Sequence, residues 1–123
     1  MATTFTIADA AKTSGLSAHA LRYYERAGLL DPIARDESGH RRYRDEDLDR
    51  IRFLTKLRAT GMPILEVRRY AELIKRGNAT NAERMQLLES HREAVRALLN
   101  ETAKNLELIE AKIDYYRQQL EQQ

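Results

Sequence analysis

The apolar positions of the chain fall at helical spacing in successive stretches, and the residues between them mark where each helix should start and stop. Ile7, Ala10 and Ala11 form the first apolar face, opened by Thr6-Ile7-Ala8-Asp9, which has the spacing of a capping box, and ended at Ser14-Gly15. Ser17 suits the N-cap of a second helix, because its hydroxyl can take a free amide of the next turn. Beyond it Ala20, Leu21, Tyr24 and Ala27 make a buried stripe, leaving His19, Arg22, Tyr23 and Arg26 on the polar face. Gly28 supplies a left-handed end, and Leu29 and Leu30 return the chain to the core. The pair reads as helix, tight turn, helix.

Helical spacing then lapses. Asp31-Pro32 and Gly39 punctuate residues 31–44, too short for another helix, and the segment reads as a small two-stranded wing with Arg41 and Arg42 near its tip. A third helix is expected over 45–60, started among Arg44, Asp45, Glu46 and Asp47, whose carboxylates favour the positive end of the helix dipole. Leu48, Ile51, Leu54 and Leu57 lie along its core side. Gly61 closes it, and Pro63 suits the first turn of a fourth helix carrying Ile64, Val67, Tyr70, Ala71 and Ile74. Lys75-Arg76-Gly77-Asn78-Ala79 is the one plausible linker, ended by Thr80, which with Glu83 has the spacing of another capping box.

From 81 to 120 the chain has neither Pro nor Gly, and its apolar residues follow a heptad. One series is Met85, Arg92, Leu99, Leu106, Ile113 and Leu120; the other is Leu88, Val95, Thr102, Ile109 and Tyr116. Such a helix would be about 60 Å long, too long to bury against its own lobe. Two-fold pairing with a second copy meets that need, with Leu88, Val95, Leu99, Leu106, Ile109, Ile113 and Tyr116 as the dimerisation residues. A helix folded back on its own lobe is the alternative, and the heptad does not give strand orientation. Arg92 and Thr102 interrupt the seam, and Arg92 could fix register or meet an acid of the lobe. The expected fold is mainly α: a winged helix-turn-helix N-terminal domain over 1–75, a linker over 76–80, and a coiled-coil dimerisation helix over 81–123.

In a helix-turn-helix the second helix enters the major groove, so His19 and Arg22 would lie nearest base edges and the tyrosine hydroxyls nearest phosphate. Helix pairs with a Ser or Gly turn also occur in proteins that never meet DNA, and a basic loop alone is usually a solvated charge cluster. Here the two are adjacent. The net charge is only +2, but residues 1–80 hold 15 Lys and Arg against 11 Asp and Glu, while 81–123 hold 6 against 8. The positive half carries the motif. With 33% charged and 42% hydrophobic residues the profile is that of a soluble, helix-rich protein. No apolar run approaches membrane-spanning length and no signal peptide opens the chain, so a cytoplasmic location without membrane contact is expected.

These motifs resemble the MerR family of bacterial transcription regulators. The matching residues are Thr6 to Ala11, Leu21-Arg22-Tyr23-Tyr24-Glu25 with Gly28-Leu29-Leu30, Arg41-Arg42-Tyr43 before Asp47-Leu48, and Ile51, Leu54, Leu57-Arg58 and Gly61-Met62-Pro63-Ile64. By that resemblance Arg22, Tyr23, Tyr24 and Arg58 contact DNA, mostly its backbone, and Arg41, Arg42 and Tyr43 belong to the wing. With Ser17 and His19, whose place varies with operator sequence, they complete the expected DNA-binding set. The resemblance further implies an antiparallel coiled coil between protomers. Such dimers bind a long promoter spacer as an inverted repeat and bend and untwist it so that RNA polymerase engages both promoter elements. The pivot would lie in residues 61–85.

The signal is less legible. The chain has no cysteine, which excludes sensing of a metal through thiolates. A similar short branch of the family, responsive to aldehydes and other electrophiles, carries a cysteine where this chain has Lys56; a solvated or phosphate-facing lysine is the plainer reading than an amine sensor. His19, His40 and His91 fall in three separate elements, so no metal or cofactor is expected. Tyr70, Tyr115 and Tyr116 could line a pocket for a small organic effector, and core or interface packing explains them equally well. No phosphate loop, nucleophile elbow or acid–base pair suggests an enzyme. Two other readings stay open: a constitutive architectural DNA-binding dimer without an effector, and a coiled-coil protein-interaction module.

Overall fold

The computed structural model describes residues 3–123. The chain divides into two compact units, one ending at Leu87 and the other running from Leu88 to Gln123. In the first, α1 (Ile7–Ser14) and α2 (Ala18–Arg26) are followed after the wing by α3 (Asp45–Ala59) and α4 (Ile64–Lys75). A 3-10 turn (Asn78–Thr80) leads into α5 (Asn81–Glu121), which continues through the second unit.

The predicted stop and start signals act locally. The Thr6 hydroxyl accepts from the Asp9 amide at 3.1 Å while the Asp9 carboxylate accepts from the Thr6 amide at 3.2 Å, closing a capping box on α1. Ser17 caps α2 by accepting from the Ala20 amide at 3.0 Å. At the start of α3 the Asp47 carboxylate accepts from the Arg44 amide at 2.8 Å. Gly15, with φ 76°, takes the left-handed position between α1 and α2 that a side chain would strain.

The core of the first unit lies where α1 packs on α2 and α3, and α3 on α4. Ala10, Leu21, Leu29, Ile51, Leu54 and Met62 are fully buried, and Leu48, Leu57, Val67, Ala71 and Leu73 nearly so. Each large aliphatic side chain removed from water contributes roughly 1.5–3 kcal/mol, which makes this interlocked set the main support of the lobe.

Three expectations change in detail. The wing has no strand ladder among the described residues; it is a loop held by two isolated antiparallel bridges, Arg35 to Arg41 and Phe5 to Tyr43. Its tip is the turn Asp36–Gly39, so Arg41 and Arg42 sit on the returning leg and not at the tip. Thr80 does not cap α5 with Glu83. Its buried hydroxyl donates back to the Leu73 carbonyl at 2.6 Å and also reaches the Gly77 carbonyl at 2.9 Å, because the 3-10 turn runs into α5 without an extended residue between them.

The second unit is one stretch of helix. Leu99, Leu106, Ile109, Ile113 and Tyr116 are all about half exposed or more, at 66%, 52%, 57%, 49% and 57%. Arg92 pairs with the adjacent Glu93, as does Arg96. Among the described residues no helix is long and apolar enough to cross a membrane.

Leu54 is fully buried in the middle of α3. Leu54→Ala should lower the unfolding free energy by about 2–5 kcal/mol in urea titrations, through lost burial and the cavity left behind. A loss below about 1 kcal/mol would mean that the lobe collapses around the cavity, against the packing described above.

Candidate nucleic-acid interface

The candidate surface is built on α2. Leu21 and Tyr24 face inward, and the same turn geometry leaves His19, Arg22, Tyr23 and Arg26 exposed. Tyr23 is 41% exposed and meets the Tyr24 ring edge-on at 6.4 Å between centroids. Tyr24 itself is 9% exposed, so its ring belongs to the core and only its rim reaches the surface. At the far end Gly28, with φ 80°, lets the Leu29 amide reach the Tyr24 carbonyl at 2.9 Å, which closes α2.

Glu25 points from α2 toward the wing. One carboxylate oxygen accepts from the Ile33 amide at 3.0 Å and the other from Arg41 Nε at 2.7 Å, with both side chains mostly buried. Burial pushes the Glu25 carboxyl upward, but the Arg41 hydrogen bond, the Ile33 amide, and the charges of Arg41 and Arg35 together hold it below its ordinary 4.5. At the tip Asp36 Oδ1 accepts from the amides of Ser38 and His40 at 2.9 and 3.0 Å, and the Gly39 amide returns to the Asp36 carbonyl. These bonds, the His40 amide first, lower the Asp36 carboxyl as well. Arg42 donates to the Thr4 hydroxyl at 3.0 Å and to the Thr4 carbonyl at 3.2 Å, fastening the returning leg to the chain before α1.

Between α1, α2 and the wing lies a cleft of about 270 Å³, lined by Thr6, Ile7, Arg22, His40, Arg41 and Arg42 among others. Its lining brings Arg22, Arg41 and Arg42 together with Asp36, and across the lobe not all cations are available. Arg41 is neutralised by Glu25, Arg44 faces Asp47 and Glu46, Arg50 pairs with Asp31 at 3.0 Å, and Arg52 pairs with Asp49. Among the described residues Arg22, Arg26 and Arg58 have no carboxylate partner; Arg58 donates only to the Met62 carbonyl, at 3.1 Å. Arg35 and Arg42 donate to neutral oxygens. These unneutralised guanidinium groups are the ones an anionic backbone would find.

Two of the expected contact residues have partners within the lobe itself. Tyr43 is fully buried, bridged through its backbone to Phe5, and its hydroxyl has no hydrogen-bond partner among the described residues. Burial pushes its phenol up, and it supports the wing from inside. Arg41 is committed to Glu25 and anchors the loop. Arg26 and Arg35 were absent from the expected set, although Arg26 follows Arg22 by four residues on the same face. Glu25's anchoring role had no sequence signal, since its partner lies 16 residues away. As for an effector pocket, Tyr70 is buried in the first unit beside Phe53, ring centroids 5.7 Å apart, whereas Tyr115 and Tyr116 pack on each other and under Lys112 in the second.

The sequence of the helix pair, the wing, α3 and α4 matches the profile of the MerR HTH family regulatory proteins over residues 5–74. The chain belongs to the MerR family. A second MerR profile, described as DNA binding, covers residues 48–111. An uncharacterised HTH-type transcriptional regulator of Haemophilus influenzae is 39% identical over 93% of this chain and 84% of its own. Among solved structures, HiNmlR, a MerR family regulator lacking the sensor domain and bound to promoter DNA, superposes with a TM-score of 0.86 at 38% identity, covering 94% of this chain and 91% of that one. A MerR family transcriptional regulator from Bacillus thuringiensis gives 0.80 at 32% identity, over 89% and 96%. This chain is a DNA-binding transcriptional regulator of the MerR type, with the helix-turn-helix domain and long C-terminal helix of that family.

The Glu25–Arg41 pair should make the wing of this MerR protein sensitive to acid. Because the folded carboxyl titrates below its unfolded value, the stability it lends is complete above about pH 4.5 and is lost as pH falls through the lowered value. Glu25→Gln should cost about 1–3 kcal/mol at pH 7 in chemical unfolding, and the gap to the parent should narrow at pH 3. A gap independent of pH would show that the carboxylate charge does not hold the wing.

Proposed function

We propose that this regulator acts in the cytoplasm as a homodimer joined through a coiled coil of α5. Each protomer would present α2 to one half-site of an inverted-repeat operator in a promoter spacer. The observation that carries this reading is the coexistence of two incomplete surfaces on one chain. One is the set Arg22, Arg26 and Arg58, arginines without a carboxylate partner among the described residues. The other is the exposed seam Leu99, Leu106, Ile109, Ile113 and Tyr116, which lacks an apolar cover. A two-fold dimer on DNA completes both. That the similar HiNmlR was solved on promoter DNA without a sensor domain supports the same reading.

In this reading His19 and Arg22 meet base edges, Ser17, Tyr23, Tyr24 and Arg58 lie along the backbone, and Arg42 leads the wing's contacts. The regulatory output is distortion of the spacer, by which RNA polymerase reaches both promoter elements. Bending of that kind costs roughly 1–6 kcal/mol, so any signal must favour one dimer geometry by a comparable amount. The pivot is assigned to residues 61–85, which contain the α3–α4 turn, α4 and the 3-10 turn. A small organic effector fits the lack of cysteine better than a metal does.

Selection of bound duplexes from a random DNA pool, read by sequencing, should enrich an inverted repeat of fixed spacing. Arg22→Ala should bind the enriched duplex about 10- to 100-fold more weakly at the same salt, while sedimentation still reports a dimer. Equal affinity of parent and variant would remove α2 from the DNA interface, and a monomeric parent would remove the coiled coil.

A further inference from the structure

Arg68 lies on α4, outside the set of residues that sequence and family likeness assign to DNA. It is exposed and has no carboxylate partner among the described residues. Its neighbour Arg69, by contrast, is neutralised by Glu83 at 3.6 Å. Among the described residues its Nη2 donates to the hydroxyl of Tyr23, at 3.2 Å. That contact crosses from α4 to the exposed face of α2, 45 residues away in sequence.

The chemistry of the pair is incomplete as it stands. A phenol is neutral and leaves the guanidinium charge uncompensated. Once the Tyr23 oxygen accepts from Arg68, its own hydrogen remains free to donate, and the cation polarises the O–H and strengthens it as a donor. The result is a fixed cation beside an activated hydroxyl donor, both exposed and both at the flank of the helix that carries Arg22. Arg donors and a hydroxyl converging from two elements suit the oxygens of one phosphate group.

We propose that Arg68 and Tyr23 form a single phosphate clamp, in which the Arg68 guanidinium supplies the charge and the Tyr23 hydroxyl donates to the same backbone phosphate. This rests on the reading that the α2 face binds DNA, and it adds α4 to that interface through a contact the sequence does not announce. Arg68 is then a DNA-contact residue, not only a prop for Tyr23.

Salt dependence separates the two roles. Each phosphate neutralised by a cation contributes about 0.9 to the slope of log affinity against log salt, so two clamps in a dimer contribute about 1.8. Parent, Arg68→Ala, Tyr23→Phe and the double variant are titrated against the duplex enriched in the selection, from about 50 to 200 mM salt. The slope of R68A should be shallower by about 1.8, so that the parent loses roughly tenfold more affinity than the variant across that range. Y23F should weaken binding in the parent background and change little in R68A. R68Q, which retains a polar stem without the charge, should share the shallow slope. An R68A or R68Q slope equal to the parent's overturns the clamp even if affinity falls, because that is the signature of a positioning role alone. A parent with no enriched duplex or no salt dependence overturns the DNA reading and the clamp together.

Discussion

Glu25 joins α2 to the wing, and the geometry of the surface they form follows from what its two oxygens hold. A loop bridged at only two isolated points has little stability of its own, as a lone hairpin in water is marginal at best. The Glu25 carboxylate supplies the missing constraint by taking Ile33 at the entry of the wing and Arg41 on its return. A mostly buried carboxylate is tolerated there only because both oxygens are satisfied and one faces a guanidinium. Tyr43 inside the core and Arg42 on Thr4 then fix the base of the loop against α1. The wing is therefore held at its base by charge, and at its tip by the backbone amides that Asp36 accepts.

The same pair shows why a count of basic residues describes such a surface poorly. The first 80 residues carry an excess of only four positive charges, 15 against 11. Several carboxylates of the lobe are spent on particular arginines: Glu25 on Arg41, Asp31 on Arg50, Asp47 on Arg44 and Asp49 on Arg52. What remains unpaired is concentrated around α2 and the ends of α3 and α4. A weak net charge thus coexists with a strong local field, since steering depends on where uncompensated charge sits and not on its sum.

Helix periodicity made most of the lobe readable. Leu48, Ile51, Leu54 and Leu57 on α3 are all buried as their spacing requires, and the caps at Thr6 and Ser17 close as their residue types suggest. These are local properties, settled within a turn or two of helix. The wing was legible as a basic turn but not in detail, because the roles of Arg41 and Tyr43 depend on partners far away in sequence: an arginine that anchors and one that stays free look alike until the carboxylate is placed. Thr80 failed for a related reason. Its spacing to Glu83 fits a cap, but a cap needs an extended residue, and here the 3-10 turn runs straight into α5 while the hydroxyl donates back to the Leu73 carbonyl.

That last contact bears on how the lobe meets the start of α5. Beside the buried Thr80 hydroxyl, the joint is fastened by polar contacts: Arg69 with Glu83, and Arg84 on the Gly77 carbonyl at 3.1 Å. Exposed ion pairs of this kind contribute about 0–1 kcal/mol each, far less than the apolar packing of α3 on α4. Adjacent residues of α4 therefore look in two directions, Arg68 toward Tyr23 on α2 and Arg69 toward Glu83 in the first turn of α5. One stretch of α4 thus touches both α2 and the first turn of α5, held tightly to the core and loosely to these two neighbours.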